Sequence, residues 1–506
     1  MKRPNGHKVC LEDMNKRKGE GNVAKVFNVT GDCKPGLHYM VNIDERLKEL
    51  KVLVDAGSYF TINRARQYGK TTTLRMFSRY LKDDYYVVLM DFQTFGNAEF
   101  ESENVFAISF ASSFLRLLKR KQPKLSKGLK EALNNLQKQV NCRNEFFALK
   151  ALFENISDIC AETDRQVVLL IDEVDSASNN QVFLDFLAQL RAYYIDRDEQ
   201  PVIQSVILAG VHDVRNLKRK IRPEEEHKMN SPWNIATDFK MDMSLSEDGI
   251  VGMLKEYEAD YHTGMNAREM AGLIYNYTSG YPFLVSRLCK LMDEDVGKEG
   301  QPKSMAWTKE GFYGAVRLLL EEKNTLFESL SEKLVSYPEF NTILQTLLFS
   351  GKNIAYNADN EVIDMAAMFG FIKNRQGNVM ISNRIFEMRL YNMYLSTAEI
   401  QGEKMYKASL RDKSQFIVNG RLNMKRVLEK FAEHFTDLYH DRDETFVEEE
   451  GRKYFLLYLR PIINGTGNYY IESRTRNLGR TDVIVDYCGE QYIITIGNKT
   501  LIEAVI

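Results

Sequence analysis

Gly69-Lys70-Thr71 and the acidic pair Asp172-Glu173, about a hundred residues further on, are the residue types that phosphate chemistry requires. The first group sits in the segment RARQYGKTTT, residues 64–73, which follows the phosphate-loop pattern G-x-x-x-x-G-K-[ST] in its last three places. Arg64 stands where the pattern has its first glycine, so the match is degenerate. Gly69 would let backbone amides approach phosphate oxygens, and a helix starting near Lys70 would aim its N-terminal N–H groups at the anion. Lys70 would add a point charge on the β- and γ-phosphates, and Thr71 a hydroxyl to Mg²⁺. Arg66, Gln67, Tyr68 and Thr72 complete the candidate nucleotide site. Taken alone, such a tripeptide is equally a surface loop that precedes a helix.

The second group lies in VVLLIDEVD, residues 167–175. Asp172 would hold Mg²⁺ through water, and Glu173 would polarise an attacking water. The bland alternative is an acidic turn at the edge of a strand. Two motifs in this order, each beside a buried strand, imply a nucleotide and Mg²⁺ as ligands, with Glu173 and Lys70 as the catalytic pair. Beyond another apolar strand, His212 and Asp213 fall where a sensor of the γ-phosphate would sit, or where a loop is capped. Arg64 and Arg66 would supply charge there, or form packing and surface pairs.

These groups need elements to carry them. A short strand at 59–62, a loop at 63–69 and a helix at 70–81 surround the first motif. An amphipathic helix is expected at 42–56, with Ile43, Leu47, Leu50, Leu53 and Val54 on one side. Further strands are expected at 85–92, 167–175 and 202–210, and the continuous Val/Ile/Leu runs of the last two read as strands buried on both faces. Alternating strands and helices give an α/β fold with a parallel sheet. The stretch 100–162 reads as helical, and its basic segment 116–138 as a solvated face. From residue 245 the pattern turns helical, and GFIKNRQGNVMI suggests a hairpin turning at Gln376–Gly377. The domains expected are a flexible leader at 1–24, a P-loop core at 25–244, a helical lid at 245–310, a winged-helix-like unit at 311–398, and a last unit at 399–506. That unit reads as a helix near 422–439, a helix at 446–459, strands at 468–473 and 482–487, and a final strand at 491–496.

Composition narrows the classes. At 506 residues with 44% hydrophobic and 27% charged, the chain is neither disordered nor a disulfide miniprotein. Lys+Arg 68 against Asp+Glu 70 leaves a net charge of −2, so any nucleic-acid contact must come from a local patch. The 6 cysteines are scattered without CxxC spacing, which argues against structural zinc and for free thiols in a reducing cytoplasm. No run of about 18 apolar residues occurs, and no membrane span is expected.

The segments HYMVNIDERL, YFTINRARQYGKTTTL, LLIDEVD, SPWNIATDF and SGYPFLVSRLC together resemble the bacterial AAA-like P-loop ATPases, close to the archaeal-type and STAND-type switch ATPases, over residues 25–395. An arginine at the start of the loop recurs in that family. The resemblance implies an ATP-dependent molecular switch, and the choice of ATP as the nucleotide comes only from it. It also implies that Gly280 and Pro282 of Gly280-Tyr281-Pro282 form the Gly-x-Pro element that approaches the nucleotide. Without the resemblance, the tripeptide reads as a helix start with proline in its first turn. Residues 448–494 resemble the PD-(D/E)XK nuclease-like domain often fused to such ATPases. That resemblance implies Glu450, with Glu449 nearly as good a fit, and Asp482 as metal carboxylates. Asp482 is otherwise a strand-end carboxylate paired with Arg480. The family's Glu-x-Lys is replaced by Thr495-Ile496-Gly497, so the expected domain is truncated and inactive. A frameshift just before Gly497 would account for this, and the gene's shifted frame decides it. Such fusions are expected in genome defence or mobile-element biology. Competing readings are a non-hydrolysing nucleotide- and DNA-binding protein, through 116–130 or the winged-helix-like unit, and an active Mg²⁺-dependent nuclease. The signal, an unknown protein partner and a homo-oligomer stay open.

Overall fold

A strand made of continuous Val, Ile and Leu has no face to give to water, so it must be covered on both sides. In the computed structural model the apolar strands lie in one five-stranded parallel sheet of β1 (Phe60–Asn63), β2 (Tyr86–Asp91), β3 (Val167–Asp172), β4 (Ser205–Gly210) and the short polar edge strand β5 (Thr237–Asp238), in the order β2-β3-β4-β1-β5. The structure describes residues 25–120, 126–142, 146–211, 233, 235–238, 242–296, 302–350, 354–396, 404–412, 415–418, 420–439, 444–463, 467–472, 481–487, 490–496 and 503–505. The leader at 1–24, His212 and Asp213 lie outside these residues, as does 121–125 of the basic segment.

Helices α1 (Asp44–Asp55) and α2 (Lys70–Tyr80) cover one face of the sheet with Leu47, Leu50, Val54, Leu74 and Phe77. The other face meets α3 (Glu103–Arg120), α4 (Lys127–Asn141), α5 (Leu149–Glu162) and α6 (Gln181–Ile195). A run of phenylalanines fills that layer. Phe106 lies 5.3 Å from Phe186, ring to ring, and Phe153 lies 5.6 Å from it. Burying each such ring contributes about 2 kcal/mol. All parallel strands end at the same edge, so the loops after β1, β2, β3 and β4 gather there.

Downstream, α7 (Glu247–Tyr261) is capped by Ser246, whose Oγ accepts from Gly249 N at 3.1 Å. Asn266 caps α8 (Ala267–Thr278), and α9 (Pro282–Leu291) opens on its proline. Next come α10 (Lys309–Glu321), α11 (Thr325–Ser336) and α12 (Glu361–Met368), then the hairpin of β6 (Ile372–Arg375) and β7 (Asn378–Ile381), then α13 (Arg384–Tyr394). Gln376 and Gly377 both take positive φ, +52° and +83°, which is the two-residue turn that matches strand twist. The hairpin turns where the sequence predicts it.

The last region holds α14 (Met424–Tyr439), α15 (Glu444–Ile463) and an antiparallel sheet of β8 (Gly467–Glu472), β9 (Thr481–Tyr487), β10 (Glu490–Ile496) and β11 (Glu503–Val505). Two expectations need correction. The helix expected at 446–459 runs on to Ile463 through Pro461. The proline forfeits one ladder bond near the helix end, while Ile462 and Ile463 are buried there. The strand at 491–496 is not the last, because β11 pairs back onto Ile493–Thr495. One apolar core joins α7 to α10, the hairpin unit and this sheet.

Candidate nucleotide-binding site

The loop between β1 and α2 is shaped by two residues of positive φ, Gln67 at +57° and Gly69 at +81°. Arg64 is not among the positive-φ residues, so its position does not require the glycine of the usual pattern. Its N–H instead donates to Gly210 O at 3.1 Å, and its guanidinium donates to Asn63 O at 2.7 Å. The loop is thereby pinned across to β4. Lys70 is buried at 6% exposure, and its Nζ donates to the carbonyls of Arg64 at 2.9 Å and Ala65 at 3.0 Å. Burial pushes the Lys70 pKa down, while Glu173, Asp175 and Asp172 pull it back up.

Asp172 ends β3 and stands in register with Asp91 at the end of β2. A hydrogen bond from Thr71 and another from the Glu173 N–H, at 3.0 Å to Oδ1, hold the Asp172 carboxylate. Glu173 takes a left-handed backbone with φ +53°, a strained conformation of the kind that collects at functional sites. Burial raises the pKa of both Asp172 and Glu173, and Asp91 raises both further. The turn Val174–Ala177 then packs against the end of β4, where a Cβ on Gly210 would lie 2.8 Å from Val174 Cγ2. Asp175 accepts a hydrogen bond there from Val211 N at 2.5 Å.

This donor set fits Mg²⁺. Three carboxylates, Glu173, Asp175 and Asp172, act on the one buried ammonium of Lys70, and Asp91 adds to the negative charge around Asp172 and Glu173. Among the described residues no cluster of three or more His, Cys, Asp or Glu could hold a metal by itself. A cation here would therefore rest on Thr71 and Asp172 and complete its shell with phosphate and water, as Mg²⁺ prefers.

A cavity of about 290 Å³ opens beside the loop. Gln67 to Thr73 and Glu173 form its polar side, and Val41, Ile43, Leu245, Met253, Pro282 and Phe283 give it an apolar wall suited to an aromatic base. The segment before α1 closes another side. Cys33 N donates to Thr72 Oγ1 at 3.1 Å, and Arg75 pairs with Asp32 at 3.1 Å.

Later segments also reach the loop. Pro282 Cγ lies 3.9 Å from where a Cβ on Gly69 would be. Gly280 takes φ +71°, and a Cβ there would meet Leu245 O at 2.1 Å, so glycine is required. The Tyr281 hydroxyl donates to Arg66 O, and its ring meets the Tyr68 ring edge-on at 4.7 Å. Gln67 Nε2 donates to Thr325 Oγ1 of α11 at 2.9 Å. Gly370, between α12 and β6, comes so near that a Cβ would touch Ala65 Cβ at 2.7 Å. Arg66 itself is exposed.

Gly69, Lys70, Thr71, Thr72, Asp172, Glu173, Gly280 and Pro282 are thus assembled around one loop. Asp91, Asp175 and the segment 28–33 were not singled out by the sequence. Asp91 carried a usable signal, since it closes an apolar strand as Asp172 does. The side chains of Glu450 and Asp482 lie outside the described residues. The Asp482 backbone pairs with Glu472 on one side and Thr495 on the other.

The profile of the AAA-like domain matches residues 39–397. The chain belongs to the AAA-like domain family. A curated protein of Synechocystis sp., the uncharacterized WD repeat-containing protein slr0143, is 25% identical over 286 residues, which is 54% of this chain and 21% of that protein. This chain therefore spans about a fifth of that relative's length. The Walker-type ATPase PABY2304 of Pyrococcus abyssi is 13% identical and covers 72% of this chain and 99% of its own, with a TM-score of 0.49. The RuvB Holliday junction branch migration motor of Thermotoga maritima is 12% identical over 67% of this chain and 92% of its own, with a TM-score of 0.36. The ORC1 protein of Aeropyrum pernix, solved in complex with DNA, is 12% identical over 70% of this chain and 93% of its own, with a TM-score of 0.30. Likeness this distant says nothing of what this chain binds. No described helix is long and apolar enough to cross a membrane.

Proposed function

We propose that this AAA-like protein binds and hydrolyses ATP with Mg²⁺ and works as a switch of the STAND type. The observation that carries the reading is the meeting of Lys70, Thr71, Asp172 and Glu173 at one sheet edge, with Pro282 against Gly69. Lys70 would exchange two loop carbonyls for phosphate oxygens, and the N-terminal amides of α2 would face the same anion. Thr71 and Asp172 would hold Mg²⁺, which neutralises charge on the transferring phosphoryl group. Glu173, with its pKa raised by burial, would orient water and take up its proton. Gly280 and Pro282 would report the outcome to the lid, and the hairpin unit, read as winged-helix-like, would follow through Gly370.

The C-terminal unit is read as a nuclease-like remnant without activity. Supporting this, a helix precedes four antiparallel strands, and Thr495, at the place of the glutamate in the resembled family's Glu-x-Lys, pairs in register with Asp482. Equilibrium binding of a fluorescent ATP analogue tests the nucleotide reading. Saturable, Mg²⁺-dependent binding that Lys70→Ala weakens at least tenfold supports it. Binding unchanged in Lys70→Ala would remove the basis for this site.

A further inference from the structure

Asp486 and Tyr277 are 209 residues apart in sequence and share a buried hydrogen bond, the Tyr277 hydroxyl donating to Asp486 Oδ2. Both are almost fully enclosed, at 4% and 2% exposure. Asp486 belongs to β9, in the interior of the C-terminal sheet, and its other oxygen accepts from Gln491 Nε2 at 2.9 Å. Arg384 at the start of α13 lies over the Tyr277 ring at 5.6 Å and favours the charged carboxylate. A carboxylate is buried at heavy cost unless it is bonded, so this contact has one satisfied arrangement where an apolar patch would have many.

Tyr277 also lies four residues before Tyr281, whose hydroxyl donates to the phosphate loop. It lies in the last turn of α8. Thr278 Oγ1 bonds back to Ile274 O at 2.7 Å and accepts from Gly280 N at 3.2 Å. Ser279 and Gly280 then take positive φ, +47° and +71°, and break the helix. Gly280 O accepts from Leu245 N at 2.8 Å, and Tyr281 N donates to Thr278 O at 3.0 Å. Tyr281 ends the run on Arg66 O, inside the loop itself. Every link between Arg66 and Asp486 is a hydrogen bond or one stretch of backbone.

We infer that the phosphate loop is coupled to the C-terminal sheet through Tyr281 and the turn at 278–280, and that the Tyr277–Asp486 bond is the latch at the far end. The inference rests on the nucleotide-binding reading above and assigns the route and the receiving element. A displacement of the Arg66 carbonyl when phosphate enters the loop must either carry Tyr281 with it or break its bond. The left-handed pair Ser279–Gly280 is where the chain can absorb or transmit that motion. The sheet responds because its interior strand carries the acceptor. Such coupling requires energetic evidence beyond proximity.

Hydrogen exchange measured by mass spectrometry on the full chain, with and without Mg²⁺ and the slowly hydrolysed analogue AMP-PNP, provides that evidence. In wild type the analogue is expected to slow exchange in peptides covering 64–73 and to change it in peptides covering 481–496. In Tyr277→Phe, which keeps the ring and removes only the donor, protection at 64–73 should persist. The response at 481–496 should fall about threefold or more. Asp486→Asn, should it fold as judged by its thermal transition, should do the same. Two results overturn the latch: a response at 481–496 that survives in Tyr277→Phe, or a wild type in which 64–73 responds and 481–496 does not. A wild type in which 64–73 does not respond overturns the nucleotide-site reading, and the coupling with it.

Discussion

The two sheets of this protein each carry an aspartate close to a strand end, Asp172 on β3 and Asp482 on β9, and the strand pairing around them differs, parallel at the first and antiparallel at the second. Asp172 is bonded by Thr71 from α2 and by the Glu173 N–H, with Lys70 and Asp91 near enough to bias its charge. Those neighbours come from three separate elements, and the parallel topology brings them to one edge. The Asp482 backbone pairs in antiparallel register with Glu472 on β8 and Thr495 on β10. A carboxylate becomes chemically useful when other elements deliver a cation, a donor and a shielded space to it. Among the described residues the parallel sheet has all three.

Substitutions sharpen that comparison in order of size. Lys70→Ala should lower kcat/KM for ATP on the order of 10³-fold, about 4 kcal/mol of transition-state stabilisation. Steady-state kinetics with Mg²⁺-ATP checks it. Glu173→Gln should cost about 10²-fold in kcat and leave analogue binding nearly unchanged, because it removes a base and not a phosphate contact. Next comes Gly280→Ala. The new Cβ would lie 2.1 Å from the Leu245 carbonyl oxygen and at φ +71°. The protein should lose about 1–3 kcal/mol of stability, read as a lower thermal midpoint. The smallest effect belongs to the other sheet. Asp482→Ala should leave ATP turnover within about twofold of wild type, and neither protein should cleave DNA with Mg²⁺, since on the proposed reading Thr495-Ile496-Gly497 replaces both the carboxylate and the lysine of Glu-x-Lys. Cleavage that Asp482→Ala abolishes would erase the contrast between the two aspartates.

Much of the parallel sheet was legible because burial on both faces writes itself as unbroken apolar runs. VVLLID and SVILAG could hardly be anything else, and Gly69-Lys70-Thr71 marked the helix start. The degenerate Arg64 is explained by backbone conformation, which residue type alone does not reveal. Asp91 closes an apolar strand as Asp172 does, and that signal was passed over; its place beside Asp172 comes from register, which pairing across the sheet sets. The contacts of Tyr281 with Arg66 and of Gly370 with Ala65 were equally invisible, because they join segments hundreds of residues apart. In the C-terminal region the helix and strands were readable from their period. The extra strand β11 was missed because Glu503–Val505 is too short to carry a pattern. The buried Asp486 was missed because polar residues in the core are specified by partners, here Tyr277, Gln491 and Arg384.

Mg²⁺-dependent ATP turnover by the purified full chain, measured beside Lys70→Ala and Glu173→Gln, tests the central claim most directly. Turnover in wild type that both substitutions lower by about a hundredfold or more, with analogue binding weakened only in Lys70→Ala, is the predicted result. Turnover that persists in Lys70→Ala, or a wild type that neither binds nor hydrolyses ATP, would contradict it.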